Sequence, residues 1–285
     1  MTLGVVWLRN VGSDVFELCV ASDSKLTGGT RWDCAQKVFP LPRCDSVLAF
    51  AGDTTHAYPL ITQTLNYVLS YEPAQNRALD LGHLKGHLGR VIQRMRRTFE
   101  DAVSGRNLTC DLILGGFDWR TSGFKVWRLA TNEAGESEFH RVAKMRAGPE
   151  RKSEGWSFHF YGNDDAAKTA KKRLEAMLHR ERGEDEEHAL DMEPFSILGE
   201  IISGGEFDSV GGAPQLVKVF RHMNSRPYNV RWPSADAPAF LFGRELLDYE
   251  TNRFLVLNPE TMEVDRWPPV VGASSDDGAE NGPKE

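Results

Sequence analysis

Residues 1–8 read MTLGVVWL, residues 16–24 read FELCVASDS, and residues 47–53 read VLAFAGD. These apolar and β-branched runs are separated by turns that contain glycine, a pattern that predicts consecutive antiparallel strands. Asp23 and Lys37 lie at or near predicted strand ends, and Gly52 lies where a strand is followed by a helix. We therefore expect a carboxylate, a lysine and a backbone N–H to converge near the start of the chain.

The order of these residues resembles the proteasome β-subunit-type N-terminal nucleophile hydrolases of the bacterial-proteasome-like kind. In that family a processed N-terminal Thr is followed by an Asp in an A-D-S-R-like strand end, a Lys in a K-V-like strand and an A-G-G-like turn. The matching positions are Thr2, Asp23, Lys37 and Gly52. Weaker matches to the family's central strand, its Gly-Ser-Gly turn and its Ser-Gly-Gly segment lie at 112–118, 160–164 and 209–212.

The resemblance implies an α+β fold, namely a four-layer αββα sandwich of two antiparallel sheets packed face to face and flanked by helices. The predicted order of strands, two helices, strands, two helices and strands fits this architecture. The resemblance also implies a peptide or protein substrate, no cofactor, a homo-oligomeric ring and an ATP-dependent unfoldase as a further partner.

Thr2 is the expected nucleophile. Threonine is small enough for the preceding methionine to be removed, which would leave a hydroxyl and a free α-amine on one residue. The ordinary pKa of an α-amine, about 7.7–8.0, suits a general base, and a nearby Lys37 ammonium would lower that pKa. Asp23 would pair with Lys37, and the Gly52 N–H would stabilise the developing oxyanion.

Each of these residues also has an ordinary explanation. Threonine is a common second residue, Asp23 could cap a turn, and Lys37 could lie on the surface at a strand end. Gly52 suits a tight strand-to-helix turn in any protein.

The auxiliary positions depart from the family pattern. When the sequences are aligned on the Gly of residues 160–164, Asn163 stands where the family has a serine. When they are aligned on Gly-Gly of 209–212, Asp208 and Ser209 each lie one residue from the family's Asp and Ser positions. Asn163 can still donate and accept hydrogen bonds. We expect Asn163, Asp208 and Ser209 to complete the site.

Leu26, Phe50 and Thr54 are expected to line the first substrate pocket. A bulky Phe50 floor would make that pocket shallow and apolar, although a plain core role for Phe50 is an equal alternative. The leading function is an N-terminal-threonine peptidase that forms an acyl-enzyme on Thr2. Two alternatives stay open: a catalytically inactive structural or interaction subunit, and an amidohydrolase that acts on a small-molecule amide.

Composition narrows the partners and the compartment. The 285 residues carry a net charge of −7, which argues against a nucleic-acid partner. Apolar runs are shorter than the ~18 residues of a membrane span, and we expect no signal peptide. The four cysteines form no CxxC pair, which favours reduced thiols and a cytoplasmic location.

Two further expectations concern domains and metals. Residues 1–267 are expected to form one domain, and residues 268–285, rich in Pro, Gly, Ser and acids, to form a disordered tail. His83 and His87 have the i, i+4 spacing that zinc can use. Because Leu84 stands where an HExxH motif has glutamate, no metal site is predicted.

Overall fold

The structure is a computed structural model that describes residues 2–12, 15–98, 110–131, 137–142, 157–182 and 189–266. Its strands and helices, in chain order, are β1 (Leu3–Asn10), β2 (Phe16–Ser22), β3 (Val38–Pro40), β4 (Ser46–Gly52), α1 (Thr54–Ser70), α2 (Glu72–Gln75), α3 (Leu81–Arg96), β5 (Cys110–Asp118), β6 (Gly123–Thr131), β7 (Ser137–Arg141), β8 (Phe158–Gly162), α4 (Asp164–Arg182), α5 (Glu193–Gly204), β9 (Gln215–Phe220), β10 (Asn224–Arg231), β11 (Ala239–Leu241), β12 (Arg244–Glu245), β13 (Val256–Leu257) and β14 (Val264–Asp265).

Within the described ranges the strands form a nine-stranded sheet and a five-stranded sheet. The larger sheet has the order β12-β11-β10-β9-β2-β1-β8, with β13 beside β10 and β14 beside β13. The smaller sheet has the order β3-β4-β5-β6-β7 and is antiparallel. Val6 and Val20 of the first sheet share one apolar cluster with Ala49 and Ile113 of the second. The two sheets therefore pack against each other at this cluster.

Capping residues mark the N-termini of α1 and α3 and the C-terminus of α5. The side chains of Asp53 and Asp80 accept hydrogen bonds from the first turns of α1 and α3, each at 2.8 Å, as expected for N-caps. Gly205 ends α5 with a left-handed φ of 62°. Apolar stripes of α1 and α3 bury against the five-stranded sheet, and those of α4 and α5 bury against the nine-stranded sheet.

The predicted four-layer αββα sandwich of two antiparallel sheets is wrong. The larger sheet is mixed, because Asn229 and Val230 of β10 pair in parallel with Val256 and Leu257 of β13. Strands β11 to β14 also extend this sheet, and a small separate apolar cluster lies among Ala239, Leu241, Leu246 and Val256. The periodicity of a strand does not show which distant segment pairs with it, so this parallel pair could not be predicted from either segment alone. The molecule is thus sheet-rich rather than a regular helix-flanked sandwich.

Two expectations remain: the predicted C-terminal tail and the absence of a membrane span. The predicted tail 268–285 lies outside the described residues. In the described ranges, no helix combines the length and the apolar character that a membrane crossing requires.

Candidate active site

Thr2 lies at the start of β1, on a cleft of about 870 Å³. Its side chain and backbone are almost fully buried, with 1% of the residue exposed. The cleft is bounded by the loop after β2, the β4–α1 junction, the facing ends of β5 and β6, and the end of β8. The residues that line it are Thr2, Leu26, Thr27, Gly28, Ala51, Gly52, Asp53, Thr54, Thr55, Cys110, Asp111, Arg128, Leu129, Ala130 and Gly162.

Asp23 is the centre of a hydrogen-bond network behind Thr2. Its Oδ1 accepts the Lys37 ammonium at 2.7 Å and the backbone N–H of Leu3 at 3.1 Å. Its Oδ2 accepts the backbone N–H groups of Lys25 at 3.2 Å and Gly211 at 3.1 Å. One carboxylate therefore connects the start of β1, the loop after β2, the start of β3 and the segment before β9. The structure brings Asp23 and Lys37 together next to the residue that follows Thr2.

The Asp23–Lys37 ion pair is fully buried on both sides. Burial lowers the pKa of Lys37, and the charge of Asp23 opposes that effect. Burial likewise raises the pKa of Asp23, while Lys37 and the backbone N–H groups oppose the rise. The Lys37 ammonium also donates to the Lys25 carbonyl at 2.5 Å. Two of the three donors of the ammonium are thus fixed by its neighbours, so its position is well defined.

Gly162 lets the β8–α4 turn pass directly over Thr2. The backbone N–H of Asn163 donates to the Thr2 carbonyl at 2.7 Å. Gly162 has a φ of +108°, and a Cβ added there would lie 2.0 Å from the Thr2 carbonyl oxygen. Only glycine fits this contact. The turn therefore fixes Thr2 from the side opposite Asp23.

The auxiliary residues are only partly brought together. Asn163 Oδ1 caps α4 by accepting from Asp165 N at 3.0 Å and Ala166 N at 2.9 Å. Its Nδ2 donates to Ser209 Oγ at 3.2 Å. Asp208, in contrast, is exposed. Asn163 and Ser209 thus lie together beside the turn that contacts Thr2, and Asp208 points to solvent.

Two of the three expected pocket residues line the cleft. Leu26 and Thr54 lie on its wall, whereas Phe50 is absent from the lining. Phe50 is fully buried beneath α1, with its ring 5.3 Å from that of Tyr58 and 6.3 Å from that of Phe39. The reason is the alternation of side chains along β4: Ala51 borders the cleft, and its neighbour Phe50 points to the other face.

Sequence reasoning missed three polar side chains at this site. Arg128 and Asp111 form an ion pair of 2.7 Å on the cleft wall. Gln215 is completely buried and hydrogen-bonds the segments that carry Asp23 and Lys37. The sequence marks Gln215 only as a polar residue at the start of an apolar strand. Exposed strand ends have the same pattern, so it does not identify a buried functional residue.

The two histidines with zinc-like spacing have other partners. His83 Nδ1 lies 2.8 Å from Asp80 Oδ2, and His87 Nδ1 lies 2.6 Å from the Tyr67 hydroxyl. Across the described ranges, no three His, Cys, Asp or Glu side chains are grouped so that they could hold a metal ion.

Comparisons with known proteins find a similar fold but no similar sequence. No protein-family model matches the chain, and no curated protein matches it. Among solved structures, the chain is similar to Anbu (ancestral beta-subunit) from Yersinia bercovieri, with a TM-score of 0.54 and 14% identity. The match covers 79% of this chain and 87% of that chain.

These comparisons correct the family assignment made from the sequence. The assignment to the proteasome β-subunit-type N-terminal nucleophile hydrolases is wrong as stated, because no family model matches and 14% identity to a solved structure shows the fold alone. The chain has a proteasome-like fold.

Proposed function

We propose that this protein hydrolyses peptide or related amide bonds through an acyl-enzyme on Thr2, after cleavage of the Met1–Thr2 bond. The observation that carries the proposal is the buried ion pair of Asp23 and Lys37. The Asp23 Oδ1 that accepts from Lys37 also accepts from the N–H of Leu3, the residue next to Thr2. A buried ion pair is expensive to desolvate, and groups with perturbed pKa values concentrate at functional sites.

The proposed reaction uses the two groups of a free N-terminal threonine. The α-amine takes the proton of the Thr2 hydroxyl as Oγ attacks the substrate carbonyl. The fixed Lys37 ammonium disfavours protonation of that amine and so keeps it in its basic form. The Gly52 N–H would donate to the oxyanion. Collapse expels the amine product with the transferred proton, and water then hydrolyses the ester on Thr2.

Paired variants test the proposal with a panel of fluorogenic peptide and small-molecule amides. Thr2→Ala should abolish hydrolysis, because the hydroxyl is lost, whereas Thr2→Ser should retain part of it. Thr98→Ala is the matched control. It removes a hydroxyl that donates to the Met95 carbonyl at the end of α3 and should keep full activity. Undiminished hydrolysis by Thr2→Ala would refute the proposal. The preferred substrate in the panel distinguishes a peptidase from an amidase of small molecules.

A non-catalytic structural subunit is the second candidate. It is supported by the exposure of Asp208, which was expected to complete the site together with Asn163 and Ser209. A peptide electrophile that attaches covalently to Thr2 would exclude it.

Self-association into a homo-oligomeric ring belongs to the proposal as well. The fold supports it, since the similar solved structure is named a beta-subunit. Sedimentation velocity should give a mass several times that of one chain, and a monomer at all concentrations would contradict this part.

A further inference from the structure

We propose that Gln215 is a positioning residue: it holds Asp23 and Lys37 in the relative position that the reaction on Thr2 requires. This inference rests on the proposed function. Gln215 begins β9 and is completely buried. It lies outside the cleft lining, so it acts through the ion pair rather than on substrate.

The Gln215 amide binds both segments that carry the ion pair. Its Nε2 donates to the Asp23 carbonyl at 3.1 Å and to the Ala35 carbonyl at 2.7 Å. Its Oε1 accepts from the N–H of Lys37 at 2.9 Å and more weakly from that of Val38 at 3.4 Å. An amide has two donors and an oxygen with two lone pairs. Both donors and both lone pairs of the Gln215 amide are used.

The ion pair needs such a support because its partners lie on separate segments. Asp23 directly follows β2, and Lys37 directly precedes β3. The loop between them reaches the surface at residues 27–34, which are exposed. Backbone hydrogen bonds join the two sides of this loop, from Ala35 N to the Ser24 carbonyl at 2.9 Å and in both directions between Leu26 and Trp32. Gln215 adds side-chain hydrogen bonds from β9 to both sides, at the Asp23 carbonyl and at the Lys37 N–H.

Sheet pairing fixes Gln215 at the required place. β9 pairs with β2, and Gln215 lies directly across from Ser22, one residue before Asp23. A Cβ added to Gly243 would lie 3.4 Å from Gln215 Nε2, so the turn between β11 and β12 covers the amide. Gln215 is therefore held by backbone pairing on one side and by packing on the other.

Loss of the amide would affect chemistry more than substrate binding. Gln215→Leu leaves the four backbone partners without their hydrogen bonds to Gln215 inside a buried site, and the segments that carry Asp23 and Lys37 are then held less firmly. The Lys37 ammonium would shift relative to the Thr2 amine, and small misplacements of catalytic groups lower rates by about 10- to 100-fold. The KM should change less than kcat, because twelve of the fifteen residues that line the cleft lie outside this loop.

Gln36→Leu is the matched control. Gln36 is the residue before Lys37, and its Nε2 donates to the Val38 carbonyl at 2.9 Å within its own segment. The control removes a glutamine amide from the same stretch without disconnecting β9. It should keep kcat and KM within a factor of about two of the wild type.

Three measurements on full-length wild type, Gln215→Leu and Gln36→Leu decide the matter. The first is the split between kcat and KM. The second is the pH profile of kcat/KM, whose acidic limb should move to higher pH in Gln215→Leu, because a more distant ammonium lowers the amine pKa less. The third is the pKa of Lys37 by NMR with labelled lysine, which should fall further below its ordinary range in Gln215→Leu and stay unchanged in Gln36→Leu, because a displaced lysine loses part of the Asp23 charge that opposes the effect of burial.

The third measurement separates this inference from the proposed function, because it needs no activity. If the wild type hydrolyses nothing, the proposed function fails, and an unchanged Lys37 pKa in Gln215→Leu would separately overturn the positioning role. If Gln215→Leu does not fold, Gln215→Asn, which keeps the amide but shortens its reach, takes its place. A folded Gln215 variant with wild-type kcat, pH profile and Lys37 pKa would overturn the inference.

Discussion

At the scale of single residues, the Asp23–Lys37 pair decides both stability and chemistry. Lys37→Met would leave the Asp23 carboxylate fully buried without its cation, and breaking a buried pair from one side costs about 3–5 kcal/mol. Urea denaturation of Lys37→Met should show a loss of unfolding free energy in that range. The double variant Asp23→Asn/Lys37→Met should recover much of it, because the uncompensated charge is gone.

A partly exposed ion pair provides the control. Arg173 and Glu206 form an ion pair whose side chains are 37% and 41% exposed, and such pairs contribute about 0–1 kcal/mol. Arg173→Met should therefore change the unfolding free energy little. Equal losses in Lys37→Met and Arg173→Met would contradict the role assigned to the buried pair.

His159 makes stability depend on pH. Burial lowers the pKa of His159, and the charge of Arg128 lowers it further, while Asp111 opposes them. As the pH falls below about 6.5, the ordinary histidine value, the unfolded chain takes up a proton that the folded chain does not. Stability should therefore decrease as the pH falls from about 6.5 toward the lower pKa of the folded state.

The variant His159→Phe tests this prediction. It removes the titrating group from a half-buried strand position and keeps a ring of similar size. Unfolding free energies measured at several pH values between 7.5 and 5 should fall less steeply for His159→Phe than for the wild type. Parallel slopes would show that His159 does not contribute.

At the scale of elements, the β8–α4 junction connects secondary structure to Thr2. Gly162→Ala would combine a left-handed φ with a Cβ only 2.0 Å from the Thr2 carbonyl oxygen. Gly205→Ala, which has a φ of +62° but no atom within 4 Å of the added Cβ, isolates the conformational part, about 1–2 kcal/mol. Thermal denaturation should show a clearly larger loss for Gly162→Ala, and equal losses would contradict the contact.

Sequence reasoning succeeded for elements that are specified locally. Helices α1 and α3 carry apolar stripes within their own residues and an Asp cap directly before them, and such local features can be read from the sequence. The parallel pairing of β13 with β10 was missed because it depends on a crossover connection of about 25 residues between the two strands. In the same way, Asp23 and Lys37 lie at strand ends that the pattern shows, whereas Gln215 reaches Lys37 from 178 residues away.

At the scale of the whole molecule, the turn between the C-terminal strands β11 and β12 packs against the segment that carries Asp23. Gly243, in the turn between β11 and β12, has a φ of +84°, and a Cβ there would lie 2.2 Å from the Ser24 Cβ. Ser24 is the residue after Asp23. The extension that overturned the predicted sandwich therefore packs against the segment that carries the central carboxylate.

Gly243→Ala should consequently destabilise the protein and lower any activity that depends on Asp23. Gly29→Ala is a close control, since its φ is +83° and nothing lies within 4 Å of the added Cβ. Chemical denaturation should show a larger loss for Gly243→Ala than for Gly29→Ala. If the two variants are equally stable and equally active, the C-terminal strands do not support the site.

The free threonine amine on which the proposed chemistry depends is tested most directly by tandem mass spectrometry of the N-terminal peptide after treatment with a peptide electrophile. We expect this peptide to begin at Thr2 and to carry one covalent adduct on that residue, and we expect Thr2→Ala to carry none. A peptide that still begins at Met1, or an adduct located elsewhere in the chain, would contradict this expectation.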